Sequence, residues 1–163
     1  MKTIVVIRHA KAESHAASGD DFDRKLIRKG KIEAELLVDR LLRRAIQPSI
    51  IFSSPVIRAL ATAEIIASKY KLVSTVVTKS FLYNRLYSFE DVEKAIVDSH
   101  CTGDIVFIVA HHPTILHLIM QMCTKKLEML NPSEAVVVHF DTDDWNGISQ
   151  KVCKSYEMLT ALV

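Results

Sequence analysis

Two arginines and two histidines are placed where they could act together on an anion. Arg8-His9 follows a short β-branched run, Thr3-Ile4-Val5-Val6-Ile7. Ala110-His111-His112 follows a second such run, Ile105 to Val109. Runs of this length and content read as buried strands, and open α/β sheets bind ligands at the C-terminal ends of their strands. Arg58 falls in the first turn of a helix announced by Ser53-Ser54-Pro55, and Pro113 opens another helix directly after the second histidine pair. Two guanidinium groups, two imidazoles and two helix N-termini facing one crevice favour a negative ligand. Arginine forks match phosphate oxygens two at a time, so the expected ligand is a phosphoryl group. No GxxxxGK[ST] loop is present, which removes the P-loop solution. A neutral imidazole can attack phosphorus and carry it covalently, and arginines offset charge on the non-bridging oxygens.

These residues need a scaffold of alternating strands and helices. The predicted order is strand, loop, helix, strand, helix, strand, helix, strand, helix, then two strands. Residues 10 to 27 are the longest polar stretch, with Asp20, Asp21 and Asp23, and read as a loop over the sheet edge. A helix is expected over 28–46, with Ile32, Leu36, Leu37, Leu41 and Leu42 as its apolar stripe and Asp39 paired with Arg43. Residues 49–53 read as a strand. Ser54 suits the N-cap and Pro55 the first position of a helix running to about Tyr70, with Ile57, Ala61 and Ile65 on one face. A strand over 72–78, a helix over 88–99 and a strand over 104–110 follow. A helix beginning at Pro113 carries Ile115, Leu116, Ile119 and Met120. Residues 135–140 and 149–158 read as strands joined by a turn at 143–147. This pattern predicts an α/β fold: a three-layer α/β/α sandwich with a mostly parallel sheet, the last two strands adding an antiparallel edge.

Composition sets the outer limits. The 163 residues suggest one domain over 1–163. With 49% apolar and 25% charged residues and a net charge of +2, neither nucleic acid nor an anionic membrane is expected as a bulk partner. Cys101, Cys123 and Cys153 show no CxxC spacing, which argues against a disulfide framework and a thiolate zinc site and favours a reducing cytoplasm. His112 and His117 lie five apart, poor helical spacing for two metal ligands, so no metal is expected at His111, His112 and His117. No apolar run reaches the ~20 residues that span a bilayer.

Arg8-His9-Ala10-Lys11-Ala12-Glu13 resembles the signature of the histidine phosphatase superfamily, the phosphoglycerate mutase-like fold. Its short branch, the phosphohistidine phosphatase SixA type, is the nearest likeness. Asp23-Arg24-Lys25-Leu26 with Gly30 is similar to that branch's D-R-P-L…G segment. Ser53-Ser54-Pro55-Val56-Ile57-Arg58-Ala59 with Thr62-Ala63 resembles S-S-P-A-x-R-A-x-x-T-A, Leu82-Tyr83-Asn84 resembles L-Y-N, and Val109-Ala110-His111-His112-Pro113 resembles V-G-H-N-P. The likeness runs over about residues 3 to 120. It implies that His9 is the phosphorylated nucleophile, that Arg8, Arg58 and His111 hold the phosphoryl oxygens, and that no metal or other cofactor is required.

Three departures from this pattern bear on the site. Ala10 stands where the wider superfamily has glycine, so the turn there must avoid positive φ. Lys25 replaces a proline, and His112 replaces an asparagine. Larger members carry their general acid on an inserted segment that this chain has no room for. Glu13, Asp20, Asp21 and Asp23 are the remaining candidates. Weak acid assistance favours a leaving group such as the imidazole of phosphohistidine over an alkoxide. The expected substrate is therefore phosphohistidine on a partner protein. The alternatives are a small phosphorylated metabolite, hydrolysed as a phosphomonoester, or a catalytically silent phosphate-binding module.

Overall fold

The computed structural model describes residues 1–72, 76–83, 87–124 and 126–160. A six-stranded sheet forms its centre, in the order β3-β2-β4-β1-β5-β6. The strands are β1 (Lys2–Arg8), β2 (Ile50–Ser53), β3 (Val76–Thr78), β4 (Ile105–Ala110), β5 (Ala135–Phe140) and β6 (Ser155–Leu159). The helices are α1 (Arg28–Arg43), α2 (Ile57–Lys69), α3 (Phe89–Asp98) and α4 (Thr114–Cys123). Strands β1 to β4 pair in parallel, while β5 runs antiparallel to β1 and β6 antiparallel to β5. The expected mostly parallel sheet with an antiparallel edge is what forms.

The central strands are apolar on both faces because both faces are covered. Ile4 and Val6 of β1, with Val106 and Ile108 of β4, pack against Val92 and Ile96 of α3 and Ile115, Leu118 and Ile119 of α4. Val5, Ile7, Phe107 and Val109 point the other way, onto Leu37, Val38 and Leu41 of α1 and Ala59, Ala63 and Ile66 of α2. This is the three-layer arrangement, and it leaves the C-terminal ends of β1, β2 and β4 side by side.

Several local expectations change. Helix α1 buries Gly30, Ala34, Leu37, Val38 and Leu41, while Ile32 and Leu42 are exposed. Asp39 faces Lys69 of α2, at 3.9 Å, in place of Arg43. Helix α2 begins two residues past Pro55 with Val56 as its N-cap, and its buried face is Arg58, Ala59, Thr62, Ala63, Ile66 and Ala67 rather than Ile57, Ala61 and Ile65. In α4, Met120 is exposed and Leu118 and Met122 are buried instead. The final strand is confined to Ser155–Leu159, and a 3-10 turn, Ile148–Gln150, occupies the start of the stretch read as strand. Of the strand expected over 72–78, residues 76–78 form it and residues 73–75 lie outside the described residues. The three cysteines are free thiols.

Candidate active site

Sheet register puts the chemistry in one place. Arg8 pairs with Ala110 across β1 and β4, and Ser53 pairs with Val109 across β2 and β4. The next residue of each strand, His9, His111 and Ser54, therefore emerges at the same level. Two further backbone bonds hold that level: His9 N–H donates to Ala110 O at 3.1 Å, and Ser54 N–H to Val109 O at 3.0 Å. Arg58 enters from the first turn of α2, on the buried face it shares with Thr62, and only 5% of it is exposed.

The hydrogen bonds of His9 fix its tautomer. Nδ1 lies 2.8 Å from the carbonyl oxygen of Ala10. A carbonyl can only accept, so Nδ1 carries the proton and Nε2 holds a lone pair. Arg58 Nε donates to that lone pair at 3.3 Å. Burial pushes the His9 pKa down to about 4; the Ala10 bond opposes this, and Arg58, Arg8 and Arg24 add to it. The ring is neutral at physiological pH, with its basic nitrogen turned into a cationic pocket.

His111 is its counterpart. The two ring centroids are 5.2 Å apart. Burial first, then the charge of His9 and Arg58, lowers the His111 pKa to about 3. Its Nε2 shares a proton with Ser54 Oγ at 2.6 Å. Its Nδ1 is buried without a partner, and so is Arg8 Nε. Arg8 Nη1 donates to Leu130 O at 2.8 Å, which turns the guanidinium. An unpartnered buried nitrogen costs about 1–3 kcal/mol. Two of them beside one neutral imidazole make a site that an oxyanion would complete.

Arg58 also reaches the loop before α1. Its Nη1 donates to Asp21 O at 2.6 Å and its Nη2 to Asp21 Oδ2 at 2.8 Å. The other carboxylate oxygen of Asp21 accepts from Arg24 Nη1 at 2.8 Å. Arg24 in turn donates from Nε to Glu13 O at 2.6 Å. The polar loop is thus folded down onto the pocket by a chain of guanidinium contacts.

Comparison with known proteins bears on this pocket. The model of the histidine phosphatase superfamily (branch 1) matches residues 4–84, which hold His9 and Arg58. The chain belongs to the histidine phosphatase superfamily. Among solved structures, the protein histidine phosphatase SixA complexed with tungstate superimposes with a TM-score of 0.78 at 21% identity, over 98% of this chain and 97% of that one. A candidate phosphohistidine phosphatase SixA from Agrobacterium tumefaciens gives 0.71 at 25% identity, over 84% and 88%. A phosphoserine phosphatase from Entamoeba histolytica, in complex with 3-phosphoglyceric acid, gives 0.68 at 15% identity, over 100% of both chains. No curated protein matches the chain in sequence.

Among the carboxylates considered as acids in this histidine phosphatase, three are occupied by the loop itself. Glu13 Oε2 accepts from Lys25 N–H at 3.0 Å, a donor that exists because lysine replaces the branch's proline. Asp20 caps the 3-10 turn Asp21–Asp23 through Phe22 N–H, and Asp23 Oδ2 accepts from Ser18 Oγ at 2.7 Å. Only Asp21 reaches the pocket. There the Arg24 hydrogen bond, and then that of Arg58, hold its pKa below the usual carboxylate range. Asp21 is therefore ionised and has no proton to give.

Ser54 and Thr62 were not among the sequence-predicted site residues. Ser54 does not cap α2; its hydroxyl is spent on His111. Thr62 Oγ1 accepts from Ala10 N–H at 2.9 Å and donates to Arg58 O at 2.7 Å, joining the turns that carry the two groups. Both sit in the Ser-Ser-Pro…Arg-Ala…Thr-Ala segment, where Ser54 reads as a cap and Thr62 only as part of the resemblance. Gly30 is required because a Cβ there would strike the backbone oxygen of Lys11. Ala10 keeps negative φ, as its side chain demands. His112 is exposed at the rim and its pKa is lowered by partial burial and by Arg8. Tyr83 borders His111, and Asn84 lies outside the described residues. Among the described residues, no group of three or more His, Cys, Asp or Glu side chains is arranged to hold a metal.

Proposed function

We propose that this protein is a metal-independent phosphatase that forms a phosphohistidine intermediate on His9 and acts on phosphohistidine carried by a partner protein. The observation that carries the reading is the state of His9: neutral, Nδ1 committed to a carbonyl, Nε2 accepting from Arg58, and the His111 ring 5.2 Å away. In the first step Nε2 attacks phosphorus and the bond from phosphorus to the substrate's imidazole nitrogen breaks. That electron pair leaves on an imidazole whose other nitrogen is already protonated, so the leaving group is neutral. In the second step water attacks the phosphoryl group on His9, releasing inorganic phosphate and restoring the ring. Arg58 and Arg8 supply donors to the three non-bridging oxygens, and His111 supplies one if its Nδ1 carries the proton.

Two observations favour a phosphoramidate. The carboxylate on Arg58, Asp21, is held ionised and cannot protonate an alkoxide. The fold is shared with the protein histidine phosphatase SixA. The neighbour bound to 3-phosphoglyceric acid keeps a small phosphate ester as the second reading. Relative kcat/KM on a phosphohistidine peptide and on 3-phosphoglycerate separates them. Quenching turnover in base should trap an acid-labile phosphoryl group on His9, absent in His9→Ala. Normal turnover with no such adduct, or turnover by folded His9→Ala, overturns the mechanism.

A further inference from the structure

A run of aromatic rings leads out of the pocket. Tyr83 stands edge-on to His111, with centroids 5.8 Å apart and planes at 77°. Phe22 stands edge-on to Tyr83 at 5.9 Å and 81°. Tyr83 is 42% exposed, so part of its side chain is accessible from solvent beside His111. Both rings are tied to groups that would hold the anion. Tyr83 rests on His111, and Phe22 follows directly after Asp21, whose carbonyl and carboxylate grip Arg58. Both rings therefore border the space between Arg58 and His111 that a phosphoryl group would occupy.

We propose that Phe22 and Tyr83 are specificity-determining residues, forming an aromatic slot that selects phosphoryl groups carried on planar rings, imidazole or phenol, over those on flexible alkyl chains. The proposal rests on the phosphatase reading for its catalytic consequence. A flat ring gains edge or face contact with Tyr83 and Phe22. An alkyl chain gains less and loses more rotamer freedom when ordered. The difference corresponds to about five- to tenfold in kcat/KM.

N-phosphohistidine and N-phospholysine test this directly, because both break a phosphorus–nitrogen bond and only one carries a ring. The wild type should prefer phosphohistidine. Tyr83→Ala should lower the ratio of the two kcat/KM values about fivefold or more, Phe22→Ala should lower it less, and Tyr83→Phe should keep it. Loss of both activities in equal proportion would mean that Tyr83 only supports His111, and would overturn the slot. If Tyr83→Ala does not fold, Tyr83→Leu keeps the bulk without the flat ring and gives the same reading. Calorimetric binding of phenylphosphonate against n-butylphosphonate reads the slot without chemistry. If the wild type hydrolyses nothing but prefers the phenyl compound, and Tyr83→Ala loses that preference, the slot stands and the phosphatase reading falls. Equal binding of the two overturns the slot.

Discussion

Replacing Thr62 with valine should damage stability and turnover together. The hydroxyl is fully buried and makes two bonds, accepting from Ala10 N–H at 2.9 Å and donating to Arg58 O at 2.7 Å. Valine matches the shape and removes both bonds. The Ala10 amide then has no partner and no access to water, which costs about 2 kcal/mol. For a chain of this length that lowers Tm by about 4–8 °C. The same hydroxyl sets the spacing between the turn carrying His9 and the helix carrying Arg58. Looser spacing should lower kcat about tenfold or more, with KM changing less, because small misplacements of reacting groups are expensive. Thr62→Ser keeps the hydroxyl and should recover most of the rate. The measurements are thermal unfolding and steady-state kinetics on a phosphohistidine peptide. Thr62→Val with unchanged Tm and kcat would refute the inference. A lower Tm with unchanged kcat would show that Thr62 holds the fold but not the alignment.

Ser54→Ala strips His111 of its Nε2 partner and should cut kcat/KM by about tenfold while leaving the sheet intact; equal rates would remove Ser54 from the site. Gly30→Ala drives a Cβ into the Lys11 backbone, and a Tm within a degree of wild type would contradict that contact. With pKa values near 4 and 3, His9 and His111 should both be neutral at pH 6 in an NMR titration. Both values lie below the ordinary 6.5, so the unfolded chain binds more protons, and stability should fall as pH drops from about 6.5 toward 4. Titration of His9 near 6.5 would contradict this. Asp21→Asn should change stability by less than about 1 kcal/mol, since the carboxylate is half exposed, and should retain turnover on phosphohistidine; its complete loss would reinstate Asp21 as a proton donor.

Much of the fold could be read from β-branched runs. Each of the two that lead into Arg8-His9 and His111-His112 became a central parallel strand, and 135–140 became β5 unchanged. Helix faces were harder to read. In α1 the chain crosses the Lys11 turn at Gly30, and that close approach rotates the buried stripe onto Gly30, Ala34, Leu37, Val38 and Leu41, away from Ile32 and Leu42. In α2 the pocket claims Arg58 and Thr62 as buried positions, so a search for apolar spacing selects the opposite side. Ser54 fits a cap by type, but its hydroxyl is within reach of an imidazole from a strand far along the chain, and sequence distance hides that partner. The proximity of His9, Arg58 and His111 was foreseeable because strand ends converge at one sheet edge. That Asp21, of four nearby carboxylates, is the one on Arg58 depends on how the 3-10 turn closes, which polar composition alone does not specify.

The strands β2, β4 and β1 lie next to one another, so the positions of Ser54, His111 and His9 are set by a shared ladder of peptide bonds. Tolerance to change should therefore be uneven along the chain. A residue inserted within β4 would reverse which face every following side chain occupies and carry His111 out of the pocket. The same insertion between β5 and β6, over 141–154, would leave that geometry untouched. Length variation among descendants of such a chain should accumulate at the antiparallel edge.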